Sequence, residues 1–154
     1  MLDTTVLLYA VGAKHELREP CRRLLSAPKQ LMLTTTAGVI QEFVHVRGRR
    51  RARSDAVGVG RSYLTLLRPL LEVPDAAVDD ALALLEDHAA LGAFDAVLAG
   101  ASLRADCRAI VTADRAFAKV PGLPVVFPDD AGVTALLSPA DDQTPQHRSR
   151  PVDG

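Results

Sequence analysis

Short apolar runs alternate along the chain with longer stretches in which apolar residues recur every three or four positions. The runs at residues 30–33, 70–73, 109–112 and 123–127 read as buried strands, being brief and bounded by Pro, Gly or polar residues. The stretches between them read as helices at 6–11, 15–26, 54–67, 75–91 and 94–103. A further helix runs through AGVIQEFVHVR, and a short last one follows Asp129-Asp130. Gly12, Pro28, Pro69 and Gly92 supply the stops, Pro20 falls in a first turn, and Ser54 and one of Thr34, Thr35 and Thr36 are natural N-caps. Alternating strands and helices predict an α/β fold with a mostly parallel central sheet of four to five strands, covered by helices on both faces. One domain is expected over residues 1–137. From 138 to 154 the sequence is rich in Pro, Asp, Gln and Arg and poor in hydrophobes, which predicts a disordered tail.

Two helices say more. On AGVIQEFVHVR, Val39, Ile40, Phe43, Val44 and Val46 cover one side and Gln41 and His45 the other, with Glu42 on the rim of the apolar arc. Residues 94–103 are apolar nearly all round and rich in small side chains, so this helix is expected to be buried. A carboxylate in its first turn, Asp95, is then unusual, because an unpaired buried charge is costly.

Composition changes little in this picture. The length suits one domain with a real core, and the net charge of −1 gives no global field that would argue for nucleic acid. The positive charge is nevertheless almost all arginine, with Lys14, Lys29 and Lys119 the three lysines. Cys21 and Cys107 form no paired motif and read as small buried hydrophobes in a reducing compartment. With no apolar run of membrane-spanning length and no leader pattern, the expected location is the cytoplasm and no membrane partner is expected.

The candidate chemistry lies in four acids. Asp3 and Asp114 each follow a predicted strand, Asp95 opens the buried helix, and Glu42 flanks the apolar face after the second strand. Each also has a plain reading, since Asp before Thr is a good N-cap. In a parallel α/β fold the carboxyl ends of the strands share one edge of the sheet, where ligands bind. Four acids gathered there repel one another unless a cation neutralises them, and hard oxygen ligands suit Mg²⁺ or Mn²⁺. Such a site activates water and clamps a phosphodiester.

Leu2-Asp3-Thr4-Thr5-Val6-Leu7-Leu8-Tyr9 resembles the opening "LDTNVLLY" of PIN-domain ribonucleases, and Gln41-Glu42-Phe43 their second acidic position. Phe94-Asp95-Ala96-Val97-Leu98-Ala99 is similar to their "DALLAA" block, and Val111-Thr112-Ala113-Asp114-Arg115-Ala116-Phe117 to their "TxDxxF" block. Order and spacing agree over residues 1 to about 130, and the size resembles that of VapC toxins of bacterial toxin–antitoxin pairs. The resemblance implies a Mg²⁺-dependent endoribonuclease with Asp3, Glu42, Asp95 and Asp114 as catalytic and metal-binding quartet, and Thr112 assisting through hydrogen bonds. It also implies a cognate VapB-like antitoxin and a homodimer. Thr5 departs from the family pattern by standing where Asn is commonest, and almost nothing precedes Asp3 to build a first strand.

Five arginines in seven residues, Arg47, Arg49, Arg50, Arg51 and Arg53, are expected to bind RNA phosphates. The plain alternative is a solvated loop. His45 reads as a polar-face residue, and His15, His88 and His147 lack metal-ligand spacing. Apolar residues on the helices at 39–46 and 54–67, among them Val57, Val59, Tyr63, Leu64 and Leu67, exceed what a small sheet can hide and predict an interface there. An acidic pocket would also accept an inserted arginine from a partner. Rival readings are a PIN nuclease of RNA maturation and a catalytically silent binding module. An enzyme with Asp3 as nucleophile is disfavoured, because no Asp-x-Asp follows the first strand.

Overall fold

The structure, a computed structural model, describes residues 1–27 and 31–138. The expected tail at 139–154, the stop at Pro28 and the start of the strand at Gln30 lie outside the described residues. Seven α-helices are present among the described residues: α1 Thr4–Val11, α2 Arg18–Leu25, α3 Ala37–Gly48, α4 Arg53–Leu66, α5 Asp75–Asp87, α6 Ala93–Arg104 and α7 Asp130–Leu137. Side chains that favour caps start several of them. Asp3, Thr36 and Asp129 accept from backbone amides in the first turns of α1, α3 and α7.

Several boundaries differ from expectation, among them the start of α2, at Arg18 rather than His15. The helix predicted to run to residue 91 stops at Asp87, because His88 leaves the helical region and Leu91 folds back to donate to His88 O (2.9 Å) and bury its side chain. Gly92 therefore does not close α5 but caps α6. Ser54 lies inside α4, whose cap is Ala52.

The sheet is smaller than the pattern suggests. Among the described residues regular strand is confined to β1 (Ile110–Val111) and β2 (Val125–Val126), parallel and paired Ile110 with Val125. Leu2 bridges Val111, and Thr36 bridges Leu71, each in parallel sense. Leu2 N also donates to Thr34 O (2.8 Å) and Leu71 N to Thr35 O (2.9 Å). These segments pair through so few residues because each turns at once into something else, Asp3 into α1 and Thr36 into α3. The strand expected at 30–33 is displaced onto the three threonines. Met32 takes a left-handed backbone (φ 44°) and points out, whereas the β-branched Thr34, Thr35 and Thr36 suit the extended pairing.

The core forms where α1, α3 and β1 meet, around Leu2, Leu7, Phe43, Ile110 and Phe117, all fully buried. Tyr63 of α4 packs edge-on to Phe43 (centroids 4.9 Å apart) and donates to Leu7 O (2.9 Å), which joins α4 to this core. Cys21 is buried as expected, and burial pushes its thiol up to about 12, outside the reactive range. No helix among the described residues is long and apolar enough to cross a membrane.

Candidate acidic active site

Parallel pairing sends Leu2 and Val111 in the same direction, so the residues after them, Asp3 and Thr112 to Asp114, emerge at one edge of the sheet. Three of the four acids sit at helical N-termini. Asp3 caps α1, Asp114 caps a 3₁₀ turn at Arg115–Lys119, and Asp95 lies in the first turn of α6. The plain reading of Asp3 and Asp114 as caps is thus correct and does not compete with a site. Amide dipoles at such termini favour the ionised carboxylates that a site would need.

Asp3 is 4% exposed and held on nearly all sides. Its Oδ1 accepts from Thr4 N (2.6 Å), and its Oδ2 accepts from Thr5 Oγ1 (2.7 Å), Thr112 Oγ1 (2.7 Å) and, more weakly, Thr5 N (3.4 Å). A carboxylate has about four lone-pair directions, so the second one on Oδ1 remains for a ligand. Thr112, fully buried, also accepts from Asp114 N (2.9 Å) and so ties the first acid to the last. Thr5 accepts from Ala113 N (3.0 Å), closing a ring between the two strand ends. Thr4 Oγ1 donates to Glu42 Oε2, fixing the half-buried Glu42 of α3 against α1 and leaving Oε1 unbonded by this contact.

The fourth acid reports on the other three. Asp95 is raised to about 6, first by burial and then by the charges of Asp3, Asp114 and Glu42, with a hydrogen bond from the Gly92 backbone opposing the rise. All four predicted acids therefore share one electrostatic neighbourhood, although their chain positions span more than a hundred residues. Among the described residues no three His, Cys, Asp or Glu side chains are gathered tightly around one point. The hydrogen bonds explain part of this spread, since they hold Asp3 and Glu42 toward threonines. The donor set itself, four carboxylates with hydroxyls behind them, is the hard-oxygen kind that fits Mg²⁺ or Mn²⁺.

A PIN-domain family model matches residues 1–123. The chain belongs to the PIN-domain family. Its relatives include ribonuclease VapC7 of Mycobacterium tuberculosis (strain ATCC 25618 / H37Rv), 48% identical over 140 residues, which cover 89% of this chain and 97% of the relative. Ribonuclease VapC23 of the same species (strain CDC 1551 / Oshkosh) is 40% identical over 104 residues, 61% of this chain and 75% of the relative. Within this PIN domain Thr4 and Thr5 touch the candidate acids, Thr4 through Glu42 and Thr5 through Asp3, and of the two only Thr5 stands out in the sequence, as a departure from the family's Asn. Two hydroxyls directly after Asp3 were the available signal, and their partners Glu42 and Ala113 become visible only once the chain is folded.

The arginine run divides. Arg47 of α3 makes a bidentate pair with Asp55 of α4 (2.6 and 3.1 Å) and is mostly covered, so its charge is already matched. Arg49, Arg50, Arg51 and Arg53 are exposed and make no ion pair among the described residues. The apolar excess expected on α3 and α4 is largely hidden, with Val39, Phe43, Tyr63 and Leu67 in the core and Val57, Val59 and Leu64 half-buried. Apart from Leu66 at the end of α4, the large apolar side chains that face solvent lie elsewhere, at Val78, Leu82, Phe94 and Leu103 among others.

Proposed function

We propose that this protein is a Mg²⁺-dependent endoribonuclease that acts as the toxin of a toxin–antitoxin pair. The supporting observation is the coupling of Asp95 to Asp3, Asp114 and Glu42 at the sheet edge of a PIN domain. The names of the VapC relatives point the same way. We further read the five segments joined by the backbone bonds described above as one minimal parallel sheet, whose carboxyl edge carries the site.

Asp3, Asp95, Asp114 and Glu42 would hold the ion, which when bound supplies charge neutralisation at the phosphate and a more acidic water. The chain's own part is orientation. Thr112 and Thr5 keep Asp3 rigid, so its remaining lone pair has one direction. With Thr4 holding Oε2, Glu42 Oε1 is left free and would take the proton of the attacking water. Asp95 must be ionised to serve as a ligand, and a bound cation would favour that form. Arg49, Arg50, Arg51 and Arg53 begin about 10 Å along α3 from Glu42, a reach suited to phosphates flanking the cleaved bond. The substrate is cytoplasmic RNA. The partner is a VapB-like antitoxin, and the protein alone is a homodimer.

End-labelled RNA tests the reading. Cleavage should require Mg²⁺ or Mn²⁺ and vanish in Asp95→Asn. Undiminished cleavage in excess EDTA would overturn the metal mechanism. A complex with the product of an adjacent small reading frame, together with relief of growth inhibition, is expected for the toxin role. Without either, the RNA-maturation reading takes its place.

A further inference from the structure

Resting on the reading of the site as an RNA nuclease, we propose that Phe94 is a stacking platform for a base beside the cleaved phosphate. The chain has six aromatic residues, four Phe and two Tyr, and no Trp. Phe43, Phe117 and Tyr63 are in the core. Half-buried Tyr9 rests on His15 (centroids 4.5 Å apart), and half-buried Phe127 lies under the Arg115 guanidinium at 5.1 Å. Phe94 alone is exposed, at 48%.

Its position connects it to the acids. It directly precedes Asp95 in the first turn of α6. The edge of its ring rests on Gly38 in the first turn of α3, where an added Cβ would lie 3.2 Å from Cζ and 3.3 Å from Cε1. Gly38 is four residues before Glu42, one helical turn along the same face of α3. The ring is therefore carried by the residue before Asp95 and rests one helical turn before Glu42, on a glycine that leaves room for it. Its chain neighbours Gly92 and Ala93, and Ala37 beside Gly38, are exposed and too small to cover it. A flat, apolar surface fixed next to acids cannot recognise phosphate. It fits the uncharged face of a base, which every nucleotide has, so the contact is tolerant of sequence.

The absence of tryptophan supplies the test, because Phe94→Trp creates a single fluorescent reporter at the site. In EDTA, a short single-stranded RNA should quench and blue-shift that emission, and an abasic strand of the same length should not. Phe94→Ala and Phe94→Leu should weaken RNA binding by about five- to a hundredfold, while Phe94→Tyr stays close to wild type. Phe94→Leu keeps apolar packing on Gly38 and removes only the π-face, so a loss there is not a folding effect. Equal quenching by the abasic strand, or unchanged RNA affinity in Phe94→Leu, would overturn the proposal. So would a Phe94→Ala variant that loses only its self-association, which would make the ring a protein contact. Wild-type protein that cleaves no RNA would instead remove the nuclease reading on which this one rests.

Discussion

The acidic pocket and the arginine loop are both dense clusters of charge, built in opposite ways. The pocket draws Asp3, Glu42, Asp95 and Asp114 from four distant parts of the chain, buries or half-buries three of them, and holds Asp3, Glu42 and the Asp114 backbone with threonine hydroxyls. The loop takes Arg49, Arg50, Arg51 and Arg53 from one contiguous stretch and leaves them in solvent. In the pocket Asp3 is fixed by four hydrogen bonds and Glu42 by one, so a small chemical change should have a large effect. In the loop the charges act as a screened field, so each one matters little and salt should weaken them all.

Asp3→Asn is the sharpest way to break the pocket. It removes a charge whose position is set by four hydrogen bonds, and should lower single-turnover RNA cleavage at least a hundredfold, about 3 kcal/mol, with an unchanged circular dichroism spectrum. Next comes Thr112→Val, which keeps the shape but withdraws the hydroxyl shared by Asp3 and the Asp114 backbone. A loss of about ten- to a hundredfold is expected, as for groups that orient metal ligands, with Thr112→Ser restoring most of it. If valine is tolerated, the rigidity assigned to the pocket is not needed for catalysis.

The loop should respond differently. Replacing Arg49, Arg50 and Arg51 with Ala should flatten the logarithmic salt dependence of RNA binding by about 0.7 for each phosphate that is no longer neutralised, while cleavage of bound RNA continues. A slope that does not change would assign these residues to solvent or to a protein partner.

Asp95 tests the pocket's internal repulsion in metal-free protein. Its carboxyl titrates near 3.8 when unfolded and is raised to about 6 when folded, so the folded state holds the proton more tightly. Stability from this group is therefore greatest below about pH 4 and declines as pH rises through 6. Asp95→Asn should remove that decline. For a half-buried group, after allowance for solvent screening, the gain at pH 7 is about 1 kcal/mol, or about 2–4 °C in Tm. An identical pH dependence of Tm in the variant would mean that neither burial nor the neighbouring acids raise Asp95.

The smallest effect is expected at Arg47, which belongs to neither cluster. Arg47→Ala should lose about 0.2–1 kcal/mol of stability through its pair with Asp55, seen as a slightly lower denaturation midpoint, and leave the salt slope of RNA binding as it was. A changed slope would return Arg47 to the loop.

Much of this was legible in the amino-acid order. Apolar patterning together with start and stop residues located the seven helices of the described residues, because these are local properties of the chain. The candidate acids also stood out, Asp3, Asp95 and Asp114 because each follows a strand signal or opens a helix, and Glu42 because it sits on the rim of an apolar helix face. Other features could not be read locally. The sheet contracted to two regular strands because Asp3 and Thr36 turn the chain into helices, and nothing in the residues of a segment says how long its neighbours will stay extended. α5 ended early because Leu91 is buried against the core, overriding the helix propensity of the alanines before it. Arg47 left the arginine cluster because Asp55, eight residues away, is brought beside it by the packing of α3 on α4. Thr4 and Thr5 look like ordinary helix-start residues until Glu42 and Ala113 arrive. The sequence by itself thus determined which residue types could do the chemistry and which segments would carry them. Tertiary structure decided which of those charges face one another and which are already paired, because hydrogen bonds and Coulomb forces depend on distance in space.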